Sequence, residues 1–375
     1  MKKQNIFTAG LLAVSLSNAY ALPYGFYDAR SVGMGNVSVA TGGITTAAFS
    51  NPGMLSVNEN DDKFALLLPA IGAQIIEDGN IIDLVDEFQT IGTPSTPEEI
   101  ARQIEILNAL DGDTLVAAII PNAAFVYAGE NITWGITLRA NAVVSSKITD
   151  VSTVLPNPDA VTRNLGVAIT EIGIPIGTDF SFAGIKVGVG VTSRYVQVNA
   201  IEYVEFLSVA SFDDLKNRET QDLGSFTTFD AGITLNIIDT IRVGFVAKNL
   251  IEDAKTTSPT ALEPNGSTIN FDTQYRVGAS FDGGFFTLAA DMDLNERKPI
   301  GYENISQSFS VGAEFNAFSL AQLRVGYQSN MAEGATDPDL LSVGVGFWLG
   351  FNLDVALVAG DDSSYGAFVQ TGFHF

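Results

Sequence analysis

Where the charges fall constrains this chain most. In NITWGITLRANAV, residues 131–143, Ile132, Trp134, Ile136, Leu138, Ala140 and Ala142 take one register. Asn131, Thr133, Gly135, Thr137, Arg139 and Asn141 take the other. The same period of two runs through INFDTQYRVGASF, where Ile269, Phe271, Tyr275, Val277, Ala279 and Phe281 face away from Asn270, Asp272, Gln274, Arg276, Gly278 and Ser280. Only Thr273 interrupts that apolar set. In AGIKVGVGVTSRY, Ala183, Ile185, Val187, Val189 and Val191 oppose Lys186 and Arg194. A period of two is a strand, and runs of about ten residues with one apolar face are what a transmembrane β-barrel demands. Arg139, Lys186, Arg194, Asp230, Arg242, Lys248, Asp272, Arg276, Glu314, Arg324 and Asp354 all fall in the polar register. An Arg or Lys on the lipid face near the midplane costs about 2–4 kcal/mol, which accounts for such segregation. A soluble β-sandwich also alternates, but with shorter strands and a more charged outer face.

The alternation predicts about fourteen strands: 64–75, 114–128, 131–147, 162–175, 179–198, 225–237, 240–249, 268–281, 284–294, 305–316, 320–329, 339–349, 351–360 and 364–375. After even-numbered strands the connections are tight, such as GE, GTD, IDT and DG; after odd-numbered ones they are mostly long. Outer-membrane barrels have short periplasmic turns and long external loops, so both termini are expected in the periplasm. The chain closes on YGAFVQTGFHF, with Tyr365, Ala367, Val369, Phe373 and Phe375 in one register. This resembles the C-terminal signal read by barrel-insertion machinery, an expected assembly partner beside outer-membrane lipid.

The first residues support export. Lys2 and Lys3, the apolar run Ile6–Leu16 and Ala19-Tyr20-Ala21 form a secretory signal over 1–21. That run is too short for a membrane anchor. No later stretch reaches the roughly 18 consecutive apolar residues of a transmembrane helix, yet mean hydropathy is +0.22. The chain has no cysteine, which excludes disulfides, lipoprotein anchoring and thiol redox chemistry. A formal charge of −24 argues against nucleic acid as a partner.

Upstream of the first strand lies DARSVGMGNVSVATGGITTAAFSNPGML, residues 28–55. Its Gly33-Met34-Gly35 fails as a nucleotide-binding turn, because no strand precedes it and no third glycine follows. Residues 22–62 are expected to fold as a small-residue hatch inside the barrel of 63–375, with a helical external insertion at 79–110. Asp28 and Arg30 would then need lumen partners such as Arg139 or Asp272. A disordered periplasmic tail is the alternative, against which the apolar residues of the stretch weigh.

The segment AR-SVGMGNVSVATGG-ITTAAFSNPGML resembles the N-terminal hatch of the long-chain fatty-acid transporter superfamily (FadL/TodX-like), in which a Gly-Met-Gly-like segment accompanies an Asn-Pro-Ala element. It is more similar still to a TraF-like branch of conjugal-transfer proteins, sharing DARSxxMGxxxVATG, AAFxNPxxL and a LLLPAIG-like first strand. Gly53 departs from the usual alanine after Asn51-Pro52. The resemblance implies an all-β, fourteen-stranded antiparallel outer-membrane barrel and gating by Asp28, Arg30, Gly33, Gly35, Asn51, Pro52 and Gly53. It further implies passive uptake of a hydrophobic or amphipathic small molecule, such as a fatty acid. A plugged, conjugation-associated envelope component is the alternative.

Outside the barrel, NIIDLVDEFQTI and TPEEIARQIEILNALDG read as amphipathic helices. Tyr203, Phe206, Leu207 and Phe212 lie in a long loop. These apolar stripes either pack on one another and the rim or, by analogy with the fatty-acid transporters, form a capture groove. Arg139, Lys186, Arg194, Arg242, Asp272, Arg276 and Arg324 are the expected lumen charges. The single histidine, His374, sits in the last strand, leaving no triad and no His- or Cys-based metal site. No enzyme activity, metal or cofactor is expected.

Overall fold

The structure is a computed structural model describing residues 28–57, 63–77, 79–155, 157–210, 217–297, 305–317, 321–335, 337–360 and 364–375. The expected signal, 1–21, and Phe212 lie outside these residues. Sixteen strands are described: β1 (Phe64–Glu77), β2 (Thr114–Ala128), β3 (Thr133–Ser152), β4 (Asp159–Phe182), β5 (Ile185–Phe206), β6 (Gln221–Ile238), β7 (Ile241–Lys248), β8 (Asp253–Thr256), β9 (Thr268–Phe271), β10 (Gln274–Asp282), β11 (Phe286–Asp293), β12 (Ser308–Ala317), β13 (Ala321–Asn330), β14 (Leu340–Trp348), β15 (Asn352–Gly360) and β16 (Tyr365–His374). All but β8 and β9 join a closed fourteen-stranded antiparallel barrel, completed where β1 pairs with β16. Closure leaves no edge strand with unpaired backbone groups, the condition for crossing lipid.

The expected register is realised. On β14, Leu341, Val343 and Phe347 point outward and exposed, while Ser342, Gly344 and Gly346 face the lumen and are buried. At the short-turn end, the rings of Phe64, Phe125, Tyr127 and Trp134 lie 5.2–6.3 Å apart, an aromatic patch of the kind that marks a membrane–water interface. Two segments depart from expectation. The tight turn expected at GTD lies within β4, which runs on to Phe182 and turns at Ala183-Gly184, where Ala183 takes a left-handed φ of 50°, so Ala183 is a turn residue and not on a strand face. Residues 268–281 are two strands: β9 pairs only with β8, and the wall resumes at β10, which pairs with β7. Asp272 therefore lies between strands and has no place on the wall register. Its backbone carbonyl accepts from Asn249 Nδ2 at 3.2 Å, and Thr273 Oγ1 donates to the Asn249 carbonyl at 2.8 Å. These bonds turn the chain where Thr273 breaks the apolar run.

The wall is uneven in height. β3, β4 and β5 contain 20, 24 and 22 residues, whereas β7 and β11 contain 8. The excess is clothed on both faces beyond the bilayer. On the outside pack α3 (Ile81–Ile91) and α4 (Pro97–Leu110), whose Val85, Phe88, Ile106, Leu107 and Leu110 bury against Leu115, Val144, Ile148 and Ala160. On the inside, Ile269 and Phe271 of β9 cover Leu165, Val167, Ile169, Val196 and Val198.

Candidate functional site: the hatch and the lumen around it

Residues 28–57 fill the lumen. α1 (Ala29–Gly33) is capped by Asp28, whose carboxylate accepts from Ser31 N at 2.7 Å and Ser31 Oγ at 3.2 Å. α2 (Ile44–Ser50) is followed by a short 3₁₀ turn, Pro52–Met54, capped by Asn51, whose Oδ1 accepts from Gly53 N at 3.0 Å. The other end of the Asn51 amide crosses the hatch and reaches the wall, donating to the Val39 carbonyl at 2.8 Å and to Thr234 Oγ1 at 3.2 Å. Asn51 thus fixes three parts of the hatch and wall at once, in a site from which water is excluded.

Each half of the hatch is tied to the wall. Arg30 donates to both carboxylate oxygens of Glu314, at 2.9 and 3.0 Å. Glu314 is shared with Arg324 at 2.7 Å, Arg324 reaches Asp354 at 2.6 Å, and Asp354 accepts from Gln370. Gln370 Oε1 closes the chain of contacts by accepting from Ala29 N at 2.7 Å. Asp291 accepts from Ser38 N and Val39 N at 2.7 and 3.0 Å, Ser342 from Gly35 N at 2.9 Å, and Lys248 donates to the Phe49 carbonyl at 2.6 Å. Ile44, Ala47, Ala48, Met54, Leu55 and Val57 pack with Ala65 and Val126 of β1 and β2. The expected partners of Arg30 and Asp28 are otherwise engaged: Arg139 is ion-paired with Glu171, and Asp28 caps α1.

The hatch backbone also touches the wall backbone, because the wall presents glycines. Gly232 faces Asn51, Gly244 faces Val39, Gly188 and Gly190 face Gly53 and Pro52, and Gly312 faces Met34. Gly326 faces Gly35, and Gly344 faces Gly33, where an added Cβ would stand 3.1 Å from the Gly33 Cα. Any side chain on this belt would displace the hatch. Gly33, Gly35, Pro52 and Gly53 therefore lie on the contact surface itself.

Of the other lumen charges, Arg194 bridges Glu171 and Asp230, both at 2.8 Å, and Arg276 holds Asp293 at 2.5 and 3.0 Å. Lys186 lies 3.7 Å from Asp179 near a short turn, and Arg242 donates to Asn236 at 3.0 Å. The external aromatic residues are dispersed. Tyr203 is buried beneath the Arg218 guanidinium, Leu207 belongs to the cluster under the helices, and Phe206 is 46% exposed.

The lumen differs on the two sides of the hatch. Toward the short turns lies a cavity of about 530 Å³ lined by polar groups, among them Arg30, Thr41, Asn236, Arg242, Asp282 and Glu314. On the opposite, long-loop side, Ala29 and Val32 of the hatch meet Ile120, Leu340, Ala356, Val358 and Phe368. Wall glycines, Asp291, Ser342 and Gln370 are site residues that patterning did not single out. The glycines left a trace, recurring on the polar register in VGVGV and VGVGF.

A family model described as "F plasmid transfer operon, TraF, protein" matches residues 48–293. No curated protein sequence matches the chain. Among solved structures, the chain is similar to a Pseudomonas aeruginosa FadL homologue with a TM-score of 0.56 and 11% identity, over 94% of this chain and 98% of that one. It is similar to the Ralstonia pickettii toluene transporter TbuX at 0.55 and 14% identity, over 94% and 99%. The P. putida toluene transporter TodX is similar at 0.54 and 12% identity, again over 94% and 99%. These likenesses show the barrel fold.

Proposed function

The chain belongs to the family described as "F plasmid transfer operon, TraF, protein", and on that premise, with its hatch-bearing barrel, we propose that it is an outer-membrane channel for hydrophobic small molecules. The observation that carries this reading is an asymmetry about the hatch: its contact with the wall on the long-loop side is apolar, and the cavity beneath it is polar. An apolar molecule arriving from outside would be desolvated only by parting this buried apolar contact, so movement of the hatch belongs to the proposal. The descriptions of TbuX and TodX as toluene transporters support the same class of cargo. The hatch residues Asp28, Arg30, Gly33, Gly35, Asn51, Pro52 and Gly53 would gate, and Phe206 and Phe212 would belong to the approach, while Tyr203 and Leu207 are buried. Export by a cleaved 1–21 signal and insertion with outer-membrane lipid around the barrel are parts of this proposal.

The test is uptake of radiolabelled p-xylene by cells carrying the chain, against cells without it. Uptake several-fold faster is expected, faster again in Arg30→Ala; equal rates in all three would overturn the reading. The tight seating of the hatch on the glycine belt favours a second reading, a plugged envelope component without cargo. Equal rates would leave that one standing.

A further inference from the structure

Two buried amides over the hatch carry polar atoms with no hydrogen-bond partner in the protein. Gln74, on β1, is 3% exposed, and neither its Oε1 nor its Nε2 is bonded. Asn141, on β3, is 1% exposed, and its Nδ2 is equally unbonded. Both occupy lumen registers. Gln74 pairs with Ala118 of β2 and Gly366 of β16, and Gly72, one lumen position nearer the short turns, pairs with Ile120 and Phe368. On β2, Ile119 pairs with Ala142 and Asn122 with Arg139, so Ile120 stands opposite Asn141. The amides therefore flank Ile120, a member of the apolar cluster that also holds Val32 of the hatch and Phe368. A buried polar atom without a partner is costly, and a site that keeps three of them, both atoms of the Gln74 amide and Asn141 Nδ2, beside apolar side chains is built like a ligand site, where few polar groups fix orientation.

The neighbouring charges limit what those amides could read. Arg139 and Arg194 are set against Glu171 and Asp230, and Arg30 and Arg324 against Glu314 and Asp354. Each cluster has as many carboxylates as guanidiniums, so neither has a cation in excess to hold a carboxylate ligand, and Lys248, outside both, is spent on the Phe49 carbonyl of the hatch. An amide offers one donor group and one acceptor, which suits a hydroxyl or carbonyl. We infer that Gln74 and Asn141 recognise a neutral hydrogen-bonding group on an otherwise apolar cargo, making the preferred substrate class phenols, alcohols or ketones ahead of hydrocarbons and ionised acids. This inference rests on the channel reading and refines it.

Three molecules of one shape separate the possibilities: p-cresol, p-xylene and p-toluate, each measured for binding to the detergent-purified full chain by equilibrium dialysis. The expected order is p-cresol tightest, by about tenfold over p-xylene, with p-toluate weakest. Gln74→Met and Asn141→Leu should each remove most of that preference by weakening p-cresol binding, with p-xylene bound no more weakly than before. Both should also raise the Tm, because an orphaned buried amide is replaced by an apolar side chain. Heat-modifiable migration on gels reports that the variants have folded. Equal binding of p-cresol and p-xylene, or an undiminished preference in both variants, would overturn the role of the amides and leave the channel standing. If none of the three binds and uptake of p-xylene is also unassisted, the channel reading falls as well.

Discussion

A single methyl group on Gly326 would collide with the backbone of Gly35, and that collision tests how the hatch is held. Backbone-to-backbone contact gives the hatch no side chain to rearrange, so Gly326→Ala must shift the hatch or the wall. Overpacking of a filled interior costs about 1–3 kcal/mol. The expected outcome is a lower unfolding temperature together with raised ion conductance in planar bilayers. Gly166 supplies the control, because an added Cβ there meets nothing closer than 3.8 Å and Gly166→Ala should change neither property. Arg30 makes the complementary case. Glu314 keeps Arg324 when Arg30 is lost, so Arg30→Ala should cost about 3 kcal/mol, the low end for breaking a buried pair. Chemical denaturation in detergent measures that loss.

Elements were legible in proportion to how locally their causes act. α4 starts at Pro97 because Thr96 and Glu99 form a capping box, and both the proline and the acids were visible in the sequence. Backbone and side-chain bonds from Ser95 hold the Glu99 carboxylate below its ordinary value of 4.5, with bonds from Thr96 adding to this. Because the folded value is depressed, the contribution is present above pH 4.5 and fades as pH falls through the lowered value. Protection of the first-turn amides of α4 against exchange, relative to the intrinsic rate at each pH, should therefore decline as pH falls below 4.5, and Thr96→Ala should lower it at any pH. Strand patterning located the wall for a similar reason, since lipid enforces the alternation residue by residue. It failed at 268–281, where both β9 and β10 alternate and only pairing partners tell them apart. Patterning also understated β3 to β6, whose outer portions lose strict alternation because apolar partners cover both faces. Within the hatch, the Asn51 cap could be read from Asn-Pro-Gly, whereas its reach to Thr234 depends on a register 183 residues away.

For the whole molecule, the absence of cysteine makes orientation directly measurable. Ser95→Cys, between the external helices, should react with a membrane-impermeant thiol reagent on intact cells. Asp282→Cys, at a short turn, should react only after the outer membrane is breached. Labelling in the reverse pattern would invert the barrel. Orientation in turn gives meaning to the uneven wall. A tilted strand crosses a bilayer in about 9–11 residues; β4 has 24, of which 178–182 extend at the short-turn end, so it continues roughly 30 Å beyond the bilayer on the outer side at about 3.3 Å per residue. β11, with 8, barely emerges. The rim is therefore a one-sided parapet, and the mouth opens sideways, along the cell surface and across the low strands β10 to β16. Molecules partitioned among surface lipids and sugars would reach such a doorway by sliding in two dimensions, while bulky particles descending from solution would strike the parapet first.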